Sequence, residues 1–557
     1  MGFTCVVPYE RIVSSFRRAE EPSYQIGARD NDESIEGEDN GNVSDIDVPL
    51  VSDEEDNVDD EIVQDQEDGN NMNEIIWSEA SEDVNVRQFT ESTGPQVLLN
   101  ADVSELECFN TFFTTEMIGK LVQETNLNAR RKQQLAGRND PNWTETDFGE
   151  MSAYLGILIL MGIIQVPDYK FLWSTNKFLA NGGVKDVMPV KRYEKLTQYL
   201  HVNEPEADST DKLARIRPIL DSVLERCRIA NKPRQNQSID EAMIPYKGRF
   251  SAKQYVPSKP VKWGIKVWMR CDTTSGYCHE FDVYLGKGSN PNNGKSLSYH
   301  VITKLSEELK GKFHHVYFDS FFTSIPLALN LLENGIYMCG TIRKNRKQFP
   351  EELKNLPIRL EQGQYVGRQC GSLVAVSDIT ERRQKDGTMK QITRPRIITN
   401  YQANFRGVDI CDQLRSKYPV GRSSKKWWKF LFNFLTNICI INGFVLYDHF
   451  NQVEKKKKRY TQLDFRINLV GHLVNGYSYT KKRTPGLVVY PMNMSNPNMH
   501  RHTRLKRKKS TCKFCTKHGE KKRKETIHGC IRCDKHLCCY ECHRRFHALI
   551  GVVVMEE

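Results

Sequence analysis

No run of twenty apolar residues occurs anywhere in these 557 residues. The most apolar stretch, 155–166 (LGILILMGIIQV), is shorter than the ~20 residues that cross hydrocarbon. The longer run 430–447 carries Asn433, Thr436, Asn437 and Asn442. Both read as core helices, and no membrane partner is expected. Residues 1–20 lack the apolar stretch of a secretory leader, and Val6 stands where a myristoylation signal needs Ser or Thr. No internal repeat is found. Lys and Arg are missing altogether from residues 30–83, which hold 22 Asp and Glu. So polar and acidic a run buries too little apolar surface to offset ordering, and the expectation is a disordered region over 1–87. Without those carboxylates the net charge of +10 becomes +32 on the remainder, a body suited to a polyanionic partner. Ser44 and Ser52, each followed by Asp or Glu, fit an acidic-directed kinase.

Cysteine is sparse through the first 500 residues and crowded in the last tenth. Cys512-x-x-Cys515 and Cys530-x-x-Cys533 are followed by Cys538, Cys539, Cys542 and His547. A Cys-x-x-Cys pair reaches one tetrahedral Zn²⁺ from a single turn, and two pairs with further Cys and His suit two interleaved ions. A disulfide-stapled tail is the alternative, but disulfides persist in oxidising compartments and no leader is visible here. The expectation is a reduced, zinc-loaded, intracellular module. Two closed sites need eight ligands; the eighth is left among His528, His536, His543 and Cys539. Basic runs, including Lys506, Arg507, Lys508 and Lys509, surround the cluster. Zinc modules set in basic chain suit nucleic acid or chromatin, and such runs also suit nuclear import.

Between these ends the chain changes texture twice. Helical periodicity runs over 112–135, with a cap at Thr114 or Thr115, then over 146–164 and 190–201. Pro218 opens another helix with Ile219, Leu220, Val223, Leu224 and Cys227 on one face. From Ser238 strands take over. Val261, Trp263, Ile265, Val267, Met269 and Cys271 alternate, with a hairpin partner over 277–285. Short strands at 314–318 and 337–342 enclose a helix at 325–332, and helices return at 407–416 and 427–450. Strands with interleaved helices between helical blocks predict a mixed α/β core.

Acidic residues stand where strands and helices of that core begin or end: Asp240 in the first strand region, Asp319 after 314–318, Asp409 and Asp412 on one face of a helix. Carboxylates from separate elements are what Mg²⁺ needs to activate a nucleophile at a phosphodiester. Taken singly each is as readily a cap, and Asp412 could pair with Arg415 or Arg406.

The words around these residues decide. Ser238-Ile-Asp-Glu-Ala-Met-Ile-Pro-Tyr-Lys-Gly-Arg249, Gln254-Tyr-Val-Pro-Ser-Lys-Pro-Val-Lys-Trp-Gly-Ile-Lys266, Phe318-Asp-Ser-Phe-Phe-Thr-Ser-Ile-Pro-Leu327 and Gly407-Val-Asp-Ile-Cys-Asp-Gln-Leu414 resemble the piggyBac family of DNA transposases and their element-derived relatives. Ala153-Tyr-Leu-Gly-Ile-Leu-Ile-Leu-Met-Gly162 and Lys212-Leu-Ala-Arg-Ile-Arg-Pro-Ile-Leu220 are similar to the segment that precedes the family's catalytic region.

The resemblance, over about 100–550, implies an RNase H-like catalytic core of DDE/D type. Asp240, Asp319 and Asp409 then fall on a triad binding two Mg²⁺, with Asp412 on the additional acidic position. In Lys425-Lys-Trp-Trp428 it places Lys425, Lys426 and Trp427 near the DNA end; ordinary core packing is the competing role for Trp427. It implies a helical DNA-binding and dimerisation domain split over 88–236 and 419–500, around a core split over 237–345 and 396–418. An insertion domain takes 346–395. A cysteine-rich domain at 508–550 would bind the terminal repeats through two Zn²⁺ on Cys512, Cys515, Cys530, Cys533, Cys538, Cys542, His547 and one more ligand. The activity implied is metal-dependent cleavage and strand transfer at TTAA sites through hairpin ends, by a nuclear homodimer on DNA. A domesticated copy that only binds DNA or chromatin is the alternative.

Overall fold

The structure is a computed structural model that describes residues 3–8, 77–79, 87–99, 103–203, 210–257, 259, 261–286, 294–354, 365–370, 377–383, 388–422, 424–451, 460–479, 502–505, 509–517, 525–530 and 535–549. It divides into a body, residues 1–485, and a tail, residues 486–557.

The first helices of the body begin where polar caps meet apolar periodicity. Ser104 caps α1 (Glu105–Asn110) in a reciprocal capping box with Glu107. Thr114 caps α2 (Thr115–Leu135), and Asp147 caps α3 (Phe148–Ile163). After α4 (Val190–Tyr199) comes α5 (Arg217–Ala230), with Pro218 in its first turn, where a missing N–H costs nothing.

Six of the strands form a mixed sheet around β1 (Asn236–Pro245). On one side β3 (Trp263–Asp272) runs antiparallel to β1, and the far edge of β3 is shared by β2 (Lys253–Tyr255) and β4 (Cys278–Val283). On the other side β5 (His315–Phe318) lies parallel to β1, and β6 (Tyr337–Gly340) parallel to β5. The parallel strands follow helical crossovers: α6 (Leu297–Leu305) precedes β5, and α7 (Ile325–Glu333) joins β5 to β6. β3 and β4 close a hairpin in which the Asp272 carboxylate accepts from the backbone N–H of Thr274 and Ser275, at 3.1 and 2.8 Å. Gly276 there takes φ +70°, a left-handed position where a Cβ would also strike Ile410.

Side chains on the two faces of the sheet enter different cores. Ile239 and Trp268 pack with α6 and α7 residues such as Ile302 and Leu327. Ala242, Val267, Met269 and Cys271 join the large core shared by α2, α3, α5 and α10 (Trp427–Phe450). α10 is long and apolar enough to cross a membrane, yet most of it is buried inside the body. Its polar residues are structural ties. Asn442 accepts from Cys278 N–H at 2.9 Å and donates back to Cys278 C=O at 2.9 Å, an amide doing the work of a neighbouring strand. Asn437 accepts from Arg466 of α11 (Gln462–Val474) at 2.7 Å. α1 packs on α10 and α3 on α11, so helices before 236 and after 418 share one core. A buried ion pair, Arg192 with Glu150 (2.5 Å), ties α4 to α3, and Tyr477 donates to the same carboxylate at 2.9 Å.

The expectation for 1–87 needs revision at two places. Phe3–Pro8 and Ser78–Glu79 flank the strand Tyr365–Cys370 antiparallel, in the region expected to be an insertion. Alternating Phe3, Cys5 and Val7 give that short piece strand character which the acidic run lacks. The run itself, with Ser44 and Ser52, lies outside the described residues.

Candidate functional site

Asp240 and Asp319 are neighbours because β1 and β5 are parallel. The register pairs Ser238 with Tyr317, and two residues further on along each strand come Asp240 and Asp319, on the same face by the period of two. Asp319 ends its strand in a turn, its carboxylate accepting from Phe321 N–H at 2.9 Å. Asp240 Oδ1 accepts from Glu241 N–H at 2.8 Å.

The third carboxylate arrives on α9 (Gly407–Lys417), a helix docked across β1 and β3. The docking depends on a missing side chain. A Cβ on Gly407 would stand 2.9 Å from both Asp272 O and Ser238 Cβ. Ser238 Oγ donates to Phe405 C=O at 2.6 Å just ahead of the helix, fixing its entry. Asp409 then lies in the first turn of α9, exposed toward the strand ends. Asp412, one turn on, is paired with Arg415 at 3.0 Å, and Arg415 also donates to Met243 C=O at 3.3 Å.

Loss of hydration raises Asp240, Asp319 and Asp409 above the usual carboxylate range. Repulsion from Glu241 adds to the rise at all three, and the charge of Lys259 opposes it at each. Lys259 Nζ lies 3.0 Å from Glu241 Oε1. Neither Glu241 nor Lys259 was singled out in the sequence; both lie inside the motif phrases, but a phrase does not say which members converge. Hard oxygen donors from three elements suit Mg²⁺. Only two thiol–imidazole sets, however, bring three or more ligand atoms within 4.8 Å of one another among the described residues, and both are in the tail. The carboxylates stand near one another without closing into such a set.

Around the start of α10, Trp427 is half-buried and stacks on Phe250, centroids 4.6 Å apart, while Trp428 is the buried one. Lys425 is exposed, its carbonyl held by Tyr246 Oη at 2.8 Å, and Lys426 is half-buried. Lys429, not singled out in the sequence, donates to Thr197 C=O at 2.6 Å; burial first, then the charges of Lys426 and Lys132, pull its ammonium down to about 7.

In the tail, Cys512, Cys515, Cys538 and Cys542 form the first set. Sulfurs of Cys515, Cys538 and Cys542 lie 3.5–3.7 Å apart. A tetrahedron with Zn–S bonds of ~2.3 Å has edges of ~3.8 Å, so the donor set fits zinc. The second set is Cys530, His543 and His547. His547 Nδ1 faces His543 C=O at 2.6 Å, which leaves Nε2 for a metal. The two sets interleave in sequence, the second contributing Cys530 between the Cys512 pair and Cys538. Of the four candidates for the eighth ligand, His543 is the one in a set; Cys539 and His528 are exposed. Cys533, Lys506, Arg507 and Lys508 lie outside the described residues, and Lys509 is exposed.

A model of the family "Transposase IS4" matches residues 104–444. "PiggyBac transposable element-derived protein 3" of Homo sapiens is 28% identical over 473 residues, 78% of this chain and 76% of that protein. "PiggyBac transposable element-derived protein 2" of Homo sapiens is 27% identical over 381 residues, 63% of this chain and 62% of that protein. A cryo-EM structure of the piggyBac transposase synaptic complex with hairpin DNA superposes with a TM-score of 0.60 at 26% identity, covering 71% of this chain and 85% of that one.

Proposed function

This chain belongs to the transposase IS4 family as a piggyBac-type member, and on that premise we propose that it cleaves DNA ends and transfers them to TTAA target sites through hairpin intermediates. The observation that carries the reading is the convergence of Asp240 and Asp319 on adjacent parallel strands with Asp409 delivered by a helix seated through Gly407. In this reading the mixed sheet is an RNase H-like core, assembled from 237–345 and 396–418 and interrupted by an insertion at 346–395. Asp240, Asp319 and Asp409 hold two Mg²⁺, which supply a lowered water pKa and a Lewis acid for the leaving oxygen. The chain's own part is to fix three carboxylates on separate elements and to offset part of their mutual repulsion with the charge of Lys259. Asp412, paired with Arg415, braces α9, and its own charge adds to the rise at Asp409.

DNA is the partner. The helical region of 88–236 with 419–500 offers Lys425, Lys426 and Trp427 beside the cut end and the surface for a homodimer. The tail takes two Zn²⁺, one on Cys512, Cys515, Cys538 and Cys542, the other on Cys530, Cys533, His543 and His547, and reads terminal repeats with Lys506, Arg507, Lys508 and Lys509 toward phosphate. The protein acts in the nucleus.

The test is Asp319→Ala, with Asp240→Ala and Asp409→Ala beside it. Each is expected to abolish cleavage of cognate ends while retaining DNA affinity, which phosphate contacts from Lys and Arg dominate. An Asp319→Ala protein cutting at the wild-type rate would remove the assignment. The element-derived relatives supply a second reading, a resident copy that binds DNA without moving; end cleavage by the wild-type protein separates the two.

A further inference from the structure

Lys259 is carried by a tight loop. β2 and β3 pair antiparallel, Lys253 with Ile265 and Tyr255 with Trp263. The loop between them closes with Val256 N–H on Lys262 C=O at 2.8 Å and Lys259 N–H on Val256 C=O at 3.2 Å. From that loop the side chain, one-third exposed, reaches Glu241, whose carboxylate is only 14% exposed. Glu241 follows Asp240 on β1 and is bonded to it through the backbone N–H. One ammonium thus pairs with Glu241 directly, and its charge also acts on Asp240, Asp319 and Asp409.

The neighbouring lysine is held differently: burial pulls the Lys266 ammonium down, while it also feels the charges of Glu241, Asp240 and Asp319. Lys266 Nζ lies 4.0 Å above the Trp268 ring and 4.9 Å from the Phe321 ring, so its charge is held by aromatic faces. Arg406, which also acts on Asp409, is exposed at the entry to α9 with its guanidinium over Phe405.

We propose that Lys259, tethered through Glu241, is a positioning residue that serves as the resident counter-cation of the carboxylate site and competes with divalent metal for it. Four carboxylates on three elements repel one another strongly at short range where water is partly excluded. A positive charge held against Glu241 lets Asp240, Asp319 and Asp409 stay assembled before metal and DNA arrive. The same charge opposes a dication at that place. Lys259 therefore trades metal affinity for an assembled site.

The inference rests on the three aspartates binding Mg²⁺, and the experiment separates the two claims. Mg²⁺ binding to the full chain is measured by calorimetry without DNA, alongside the melting temperature of the Mg²⁺-free, zinc-loaded protein. Lys259→Met is expected to bind Mg²⁺ more tightly, by roughly tenfold, the middle of the range of site–site couplings. It is also expected to melt lower without Mg²⁺, and Asp240→Asn in the same chain should restore the melting temperature. Lys259→Arg should behave as wild type in both measurements. A merely structural lysine would weaken metal binding and lower melting together, and weaker or unchanged Mg²⁺ binding in a folded Lys259→Met protein overturns the proposal. If Lys259→Met fails to fold, Glu241→Gln, which frees the lysine from its tether while keeping the shape, must still alter Mg²⁺ affinity, and an unchanged value overturns it. Mg²⁺ binding that survives Asp319→Ala in a chain with Lys259 intact would instead remove the underlying metal reading.

Discussion

Lys429 shows at the residue scale how the helical region treats charge. Its ammonium is buried beside Lys426 and Lys132 and sits at about 7 rather than the ordinary lysine value of 10.5. The folded pKa is below the unfolded one, so the native chain holds fewer protons between those values and stability rises with pH across that window. Below about pH 7 the cost of burying the charge is fully present. Replacement by an apolar side chain of similar length, Lys429→Met, is therefore expected to raise the melting temperature at pH 6, with the gain shrinking toward pH 10; melting curves across that range check it. At pH 6 the ammonium is charged and able to meet a DNA phosphate, so the same variant should weaken DNA binding there. The aspartates illustrate the same scale from the other sign: each is raised by lost hydration and relieved by one lysine, a balance that no single residue reveals.

At the scale of elements, the site depends on how α9 seats against β1 and β3. Gly407 is there because the helix must touch Asp272 C=O and Ser238 without a side chain between them. Gly407→Ala forces a Cβ into 2.9 Å contacts with rigid backbone, and overpacking of that kind costs about 1–3 kcal/mol. The expected result is a modestly destabilised protein with a far larger loss of end cleavage, because Asp409 moves with the helix while Asp240 and Asp319 stay. Chemical denaturation beside a cleavage assay distinguishes this from global unfolding. Most of these elements were legible in the sequence. The boundaries of α10 are those that its periodicity predicts, and Thr114, Asp147 and Pro218 mark helix starts through capping chemistry that acts locally. α6 carries no strong signal; Ser296 caps a short helix whose apolar residues serve a sheet far away in sequence. β1 was visible only as a change of texture, since a strand buried on both faces loses the alternation that marks a half-buried one.

For the whole molecule, two units divide the chemistry. The body assembles carboxylates around a sheet; the tail gathers thiols and imidazoles with little apolar core beyond Leu537, Phe514 and Phe546. On the proposed zinc reading, a unit whose described residues hold so small an apolar core owes its fold to metal. Removal of zinc by a chelator under reducing conditions is expected to unfold 502–549 while leaving the thermal transition of the body in place. Metal analysis of the reduced tail should return two zinc ions per chain; fewer than one would overturn the assignment.

Composition alone determined the basic body, the acidic run and the absence of a lipid-spanning stretch, because charge and hydropathy add residue by residue. Motif spacing determined the candidate residues, because a Cys-x-x-Cys pair is local geometry and the Asp-bearing phrases are contiguous in the chain. Tertiary structure alone decided what those residues meet. The parallel register of β1 and β5 sets Asp240 beside Asp319 across 78 intervening positions. The packing of α9 pairs Asp412 with Arg415 and leaves Asp409 the more exposed of the two. The fold of the tail sets His543 with Cys530 and His547 and leaves Cys539 exposed. The loop between β2 and β3 brings Lys259 to Glu241. Such meetings depend on strand pairing and helix docking between segments far apart in the chain, whereas spacing along it reports only what lies within a few residues.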